Sequence, residues 1–120
     1  MSKSYREIAE RISTGLLPLR AEAPEVMKAF GGLAAAATRD GALSRKTKEL
    51  MALALGVAAH CDGCIAFHMQ TLVKLGVTRA EVDETLSIAI YMGGGPSLMY
   101  AADALSALEE FSAASPAAST

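Results

Sequence analysis

The sequence predicts an all-α protein, a compact single-domain bundle of about six helices. Three observations predict it. Apolar residues recur at helical spacing, as at Tyr5, Ile8, Ile12 and Leu16. Valines and isoleucines stand singly, never in the alternating runs of a half-buried strand. Helix start and stop signals recur along 120 residues, a length that suits one domain, with no linker or internal repeat to divide it.

The first helix is predicted from Tyr5 to Leu16, with Gly15 and Pro18 ending it. A second starts near Pro24, a residue suited to a first helical turn, and runs through EVMKAFGGLAAAATRD, with Gly31-Gly32 a weak or tightly packed point. DGALS at 40–44 is a loop. Ser44 caps a third helix over 45–60, RKTKELMALALGVAAH. The fourth, CDGCIAFHMQTLVKLG, ends at Gly76. Thr78 and Glu81 form a capping-box pattern that opens the fifth, over 79–93. GGGPS is a tight turn with Pro96 in the first turn of a sixth helix, rather than a phosphate loop, because no strand precedes it and no lysine follows. The domain spans 1–112, and 113–120, AASPAAST, reads as a flexible tail.

Composition narrows the function classes. Hydrophobic residues make up 52% of the chain, rich for a soluble monomer; much of the excess is alanine, suited to close helix packing, and the remainder points to subunit contacts. The net charge of −2 and the absence of a basic patch argue against nucleic-acid binding. The longest apolar run, Leu50 to Ala59, has ten residues, well short of the roughly 18 a membrane helix needs. The charged start MSKSYREIAERIS has no hydrophobic signal core, so a cytoplasmic location is expected. Two cysteines in a non-exported chain favour redox chemistry or metal over a structural disulfide framework.

Both cysteines and both histidines fall in AAHCDGCIAFHM, residues 58–69. On one helix, Cys61, Cys64 and His68 lie within about 60° of one another, since steps of three and seven residues turn by about 300° and 700°. The cysteines occupy the first turn, where unpaired N–H groups and the helix dipole favour a thiolate. Asp62 and Gly63 between them fit a helix start. His68, one turn below Cys64, can take or return a thiol proton. Glu49 is the carboxylate to orient it: it stands in an apolar run, where a carboxylate needs a partner. If the third helix ran straight to residue 60, Glu49 would lie about 16 Å from its end and His68 about 10 Å down the next. A crossing angle, an early helix end near Gly56, a bridging water or a neighbouring subunit would close that offset. Two alternatives stand beside the redox centre. One is a non-catalytic oligomeric redox sensor. The other is structural zinc on Cys61, Cys64, His68 and either His60 or Glu49. His60 reads as a helix-end residue; Met51, Met69, Met92 and Met99 as fillers of core or interface gaps; Tyr91 and Tyr100 as core residues whose hydroxyls reach a partner.

Glu49, eleven residues, Cys61-x-x-Cys64, three residues and His68 resemble the E-x11-C-x2-C-x3-H signature of the alkylhydroperoxidase D-like proteins, in the carboxymuconolactone decarboxylase superfamily. TKELMALALGVAAHCDGCIAFHMQTLVKLGVTRAEVDETLSIAIYMGGGPSLMYAADAL, about half the chain, resembles the family core, placed at about 44–110. The resemblance implies an all-α fold with the CxxC at the N-terminus of a central helix, and subunits assembled as homotrimers or homohexamers. It implies an antioxidant activity, that of a thiol-dependent peroxidase or disulfide oxidoreductase with no bound cofactor or metal. The substrate would be a small hydroperoxide or disulfide, and the electron donor an external dithiol of thiol or lipoyl type. Carried over by position, Cys64 is the peroxidatic cysteine, Cys61 the resolving one, and His68 with Glu49 the proton relay. Asp62-Gly63 stands where the alkylhydroperoxidase itself has a histidine, and His60 precedes the pair. The lactone-decarboxylase branch generally lacks the cysteine pair, so decarboxylation is not expected.

Overall fold

The computed structural model describes residues 3–114, and every described element is helical. Seven helices follow in chain order: α1 Tyr5–Gly15, α2 Leu17–Glu22, α3 Pro24–Ala37, α4 Arg45–Ala58, α5 Asp62–Lys74, α6 Arg79–Gly93 and α7 Gly95–Ala114. The local signals act as expected. Ser44 Oγ accepts from the Thr47 N–H, Thr78 and Glu81 form a reciprocal capping box, and Gly76 ends α5 at φ +76°. Gly94, at φ +75°, supplies the left-handed turn into α7.

Three boundaries differ from the sequence reading. Pro18 ends nothing: it sits at the start of α2, where its missing N–H costs no hydrogen bond, so an extra six-residue helix follows α1. The second expected helix stops at Ala37: Thr38 is its C-cap and leaves helical geometry, with its N–H and its hydroxyl both on the Ala34 carbonyl. Helix α7 continues through Ala114, beyond the expected start of the tail at 113; residues 115–120 of that tail lie outside the described residues.

Helix α5 is the central element. Its Ile65, Ala66, Met69 and Leu72 are fully buried, and α4, α1 and α7 pack around it. Helix α6 completes the body against α4 and α7. The α2–α3 pair stands apart. Helix α3 buries none of its residues and packs chiefly on α2; Val26, Phe30 and Leu33, one helical stripe, are 64%, 67% and 64% exposed. Gly31 and Gly32 face open space, so they are not a packed point within this chain. The radius of gyration is 14.7 Å, against about 13–14 Å for a compact chain of this length, as a projecting arm requires.

Candidate functional site

The site is assembled where α4 hands over to α5. The Cys61 N–H donates to Gly56 O at 2.9 Å and the His60 N–H to Val57 O at 3.1 Å. This is the paired closure of a left-handed helix end, with His60 at φ +57° in the position glycine usually takes. The sequence expectation that His60 marks a helix end holds, but α4 stops at Ala58 and His60 carries the reversal. A non-glycine residue there costs about 1–2 kcal/mol, so its surroundings must hold it. Its ring stacks on Tyr100 of α7, centroids 4.9 Å apart and planes 13° apart.

Because the reversal takes so few residues, Cys61, two residues past the Ala59 cap of α4, is already the N-cap of α5. Its Sγ accepts from the Cys64 N–H at 3.1 Å, and the two cysteines form a disulfide across Cα atoms 5.2 Å apart. Both are half-buried at the positive end of α5. Two glycines let neighbours close on the pair. A Cβ on Gly56 would stand 2.9 Å from Cys64 Cβ, and one on Gly63 would stand 2.8 Å from the end of the Ile12 side chain. Helices α4 and α1 therefore press on the CxxC turn from two sides.

The close approach at Gly56 sets the register of α4 on α5 and resolves the expected offset. Glu49 lies seven residues before Gly56 and His68 four after Cys64, a difference in rise of about 4–5 Å that the two side chains span. Glu49 Oε2 meets His68 Nδ1 at 2.6 Å within one chain, with no bridge required. Glu49 is buried, its side chain 7% exposed, and His68 is 33% exposed. In the tautomer with the proton on Nδ1, His68 donates that N–H to Glu49 Oε2, which leaves Nε2 to exchange a proton.

A second constellation, not read from the sequence, borders the other side of the pair. Asp62, between the cysteines, is held by Lys3 Nζ at 3.1 and 3.2 Å and accepts from the Tyr5 hydroxyl at 3.3 Å. Lys3 also reaches Asp103 of α7 at 3.3 Å and lies 5.1 Å from the centroid of the Tyr100 ring. The hydrogen bond to Asp62 raises the Lys3 ammonium above its ordinary range. Burial, with Asp103 and Asp62 adding to it, pushes the Tyr5 hydroxyl well above its own. The segment is tied down by Glu110, which accepts from Ser4 Oγ at 2.5 Å and the Tyr5 N–H at 2.7 Å. The sequence signal for this cluster was faint: an acid at a helix start and a lysine 59 residues away.

Two other readings change. Tyr91 is not a core residue; it is 82% exposed, because α6 turns that face outward, whereas Tyr100 is half-buried in its stack. Of the methionines read as core or interface fillers, Met69 fills the core, and Met51, Met92 and Met99 stand on the surface, where only the interface part of that reading applies. Among the described residues, with the two cysteines joined as a disulfide, no three His, Cys, Asp or Glu side chains group as a metal-binding set. No helix among them is long and apolar enough to cross a membrane.

Fold and site define an all-helical protein organised around a CxxC pair. The model of the carboxymuconolactone decarboxylase family matches residues 24–107. A solved carboxymuconolactone decarboxylase family protein from Legionella pneumophila is 62% identical and superposes with a TM-score of 0.87, covering 89% of this chain and 96% of that one. A Thermotoga maritima protein of the same family, named as a candidate for involvement in antioxidative response, is 31% identical with a TM-score of 0.69, over 90% of this chain and 89% of that one. An uncharacterised protein of Cupriavidus necator is 44% identical over 75% of this chain and 80% of its own length. The chain belongs to the carboxymuconolactone decarboxylase family, and its E-x11-C-x2-C-x3-H residues place it with the alkylhydroperoxidase D-like members.

Proposed function

We propose that the protein is a thiol-dependent oxidoreductase that reduces small hydroperoxides or disulfides through the Cys61–Cys64 pair. One observation carries the reading: the disulfide sits at the N-terminus of α5, on the helix that presents His68 to the buried Glu49. In the reduced protein, Cys64 Sγ as thiolate attacks the terminal oxygen of a hydroperoxide. The O–O bond breaks, Cys64 becomes a sulfenic acid, and the alkoxide takes a proton by way of His68 and leaves as an alcohol. Cys61 then attacks the Cys64 sulfur, the S–O bond breaks and water leaves, which restores the disulfide. An external dithiol, of thiol or lipoyl type, returns two electrons and is itself oxidised. With a disulfide substrate, Cys64 attacks a substrate sulfur and Cys61 resolves the mixed disulfide. Glu49 holds the His68 ring and balances the imidazolium when it forms. The reducing cytoplasm supplies dithiols for such a cycle. The antioxidative association of the Thermotoga relative supports the peroxide branch.

Mass spectrometry of the reduced protein, before and after one equivalent of an organic hydroperoxide, tests the reading. Loss of two hydrogens per chain is the expected result. Cys64→Ser abolishes turnover, and Cys61→Ser gains one oxygen without forming a disulfide. Equal residual turnover in both variants overturns the assigned roles. An unchanged wild-type mass removes the peroxidase branch.

The same reading includes self-association as a homotrimer or homohexamer. Large apolar side chains on α2 and α3 (Leu17, Leu19, Val26, Phe30, Leu33) stand exposed, and so do Met51, Leu55, Ile88, Tyr91 and Met92 on α4 and α6. An open groove of about 240 Å³ between α4 and α6, lined by Leu50, Met51, Ala54 and Ile88, adds to the apolar surface available to a second copy.

A further inference from the structure

We infer that Lys3 is a positioning residue of the dithiol centre, fastening and neutralising the Asp62 carboxylate that follows Cys61 in the chain. The inference rests on the dithiol reading above. Asp62 directly follows Cys61 and opens α5. Released from a partner, its carboxylate would place a negative charge beside the nascent thiolate and oppose the helix dipole. In the structure it is fastened on two sides, by Lys3 Nζ at 3.1 Å and by the Tyr5 hydroxyl at 3.3 Å. Lys3 adds a contact to Asp103 at 3.3 Å, so one ammonium links α5 to α7. It also lies against Tyr100, whose ring stacks on His60, so the N-terminal turn braces the residues on both sides of Cys61.

The charged and titratable groups around the pair come from every element packed on α5. Helix α4 brings Glu49, against His68 of α5 itself; the turn before α5 brings His60; the N-terminal segment and α1 bring Lys3 and Tyr5; α7 brings Tyr100 and Asp103. Within this set Lys3 supplies the one permanent positive charge. Of the three carboxylates in the set, Asp62 and Asp103 lie against Lys3, and Glu49 has His68. Lys3 therefore acts on the pair through Asp62, the residue next to Cys61. Lys3 is 43% exposed, so its effect is moderated by solvent and salt.

The test is the pH profile of iodoacetamide alkylation of the reduced protein, with Cys61 and Cys64 followed separately by peptide mass mapping. Four chains are compared with the wild type: Lys3→Met, Lys3→Arg, Asp62→Asn and the Lys3→Met/Asp62→Asn double variant. Lys3→Met moves the profile to higher pH and slows alkylation at pH 7 by about threefold, the size expected of a partly screened ion pair. Lys3→Arg restores the wild-type profile. Asp62→Asn moves it to lower pH, and the double variant follows Asp62→Asn. A Lys3→Met profile coincident with wild type overturns the inference, as does a Lys3→Met shift of undiminished size in the Asp62→Asn background. Alkylation requires no turnover, so the result stands whether or not the protein reduces peroxides or disulfides.

Discussion

Glu49 Oε2 lies 2.6 Å from His68 Nδ1, a buried carboxylate on α4 against a histidine of α5 that keeps a third of its side chain in solvent. The pair therefore has an inner end that fixes geometry and an outer end that can exchange protons. Replacing His68 by Gln lowers kcat/KM for hydroperoxide by about 100-fold or more, the scale of a lost general acid–base group. Glu49→Gln, which acts through the His68 ring, lowers it less. His68→Ala leaves the Glu49 carboxylate buried without its partner and costs about 1–3 kcal/mol of stability in urea denaturation. Full activity in His68→Gln would remove the relay.

Gly56 is expected to be intolerant of even one methyl group. The added Cβ would meet Cys64 Cβ at 2.9 Å and the Cys64 carbonyl carbon at 3.8 Å, in a part of α4 that cannot retreat without moving the Glu49–His68 contact. Gly56→Ala costs about 1–3 kcal/mol, as overpacking does. It also slows disulfide formation. Gly15→Ala, with open space around it, is neutral or gains up to about 0.5 kcal/mol. Urea midpoints for the two variants side by side separate local collision from a general effect of removing glycine.

The N-terminal anchor makes stability depend on pH at both extremes. Burial pushes the Glu110 carboxyl up, but the bonds from Ser4, Tyr5 and Arg6 outweigh it and hold it below its ordinary 4.5. Its stabilisation is thus present above pH 4.5 and is lost as pH falls through the lower folded value. Tyr5 is shifted upward from 10.0, so its contribution is complete below pH 10.0 and declines above it, where the unfolded chain ionises first. Thermal melts of Glu110→Gln and wild type draw together as pH falls below 4.5; those of Tyr5→Phe and wild type draw together as pH rises above 10.0. Parallel curves across the whole range would contradict the assignment.

The projecting arm sets the expected response to Phe30→Asp. Phe30 is 67% exposed in a stripe with Val26 and Leu33, so a charge there does not disturb the body of this chain. It places an unpaired carboxylate in the proposed contact between copies, and sedimentation velocity reports a smaller species with unchanged helicity. An unaltered sedimentation coefficient would move the interface elsewhere.

The sequence by itself determined what depends on neighbours within a few residues. Ser44, the Thr78–Glu81 box and Gly76 bond or turn within one helical turn, so caps were readable without knowing the fold. The grouping of Cys61, Cys64 and His68 on one helix followed from periodicity, and the spacing to Glu49 marked the family. Pro18 misled because the same residue that forbids a helix interior is welcome at a helix start. Only the tertiary structure decided the rest. That Glu49 reaches His68 in its own chain depends on α4 ending at Ala58 and closing onto Cys64 at Gly56. That Tyr91 faces outward depends on which side of α6 the body covers. Lys3 and Asp62 meet across 59 positions, and no local pattern encodes a contact made by packing α1, α5 and α7 together. Periodicity and capping are short-range; the choice of partners for a charge is made by the three-dimensional packing of whole helices.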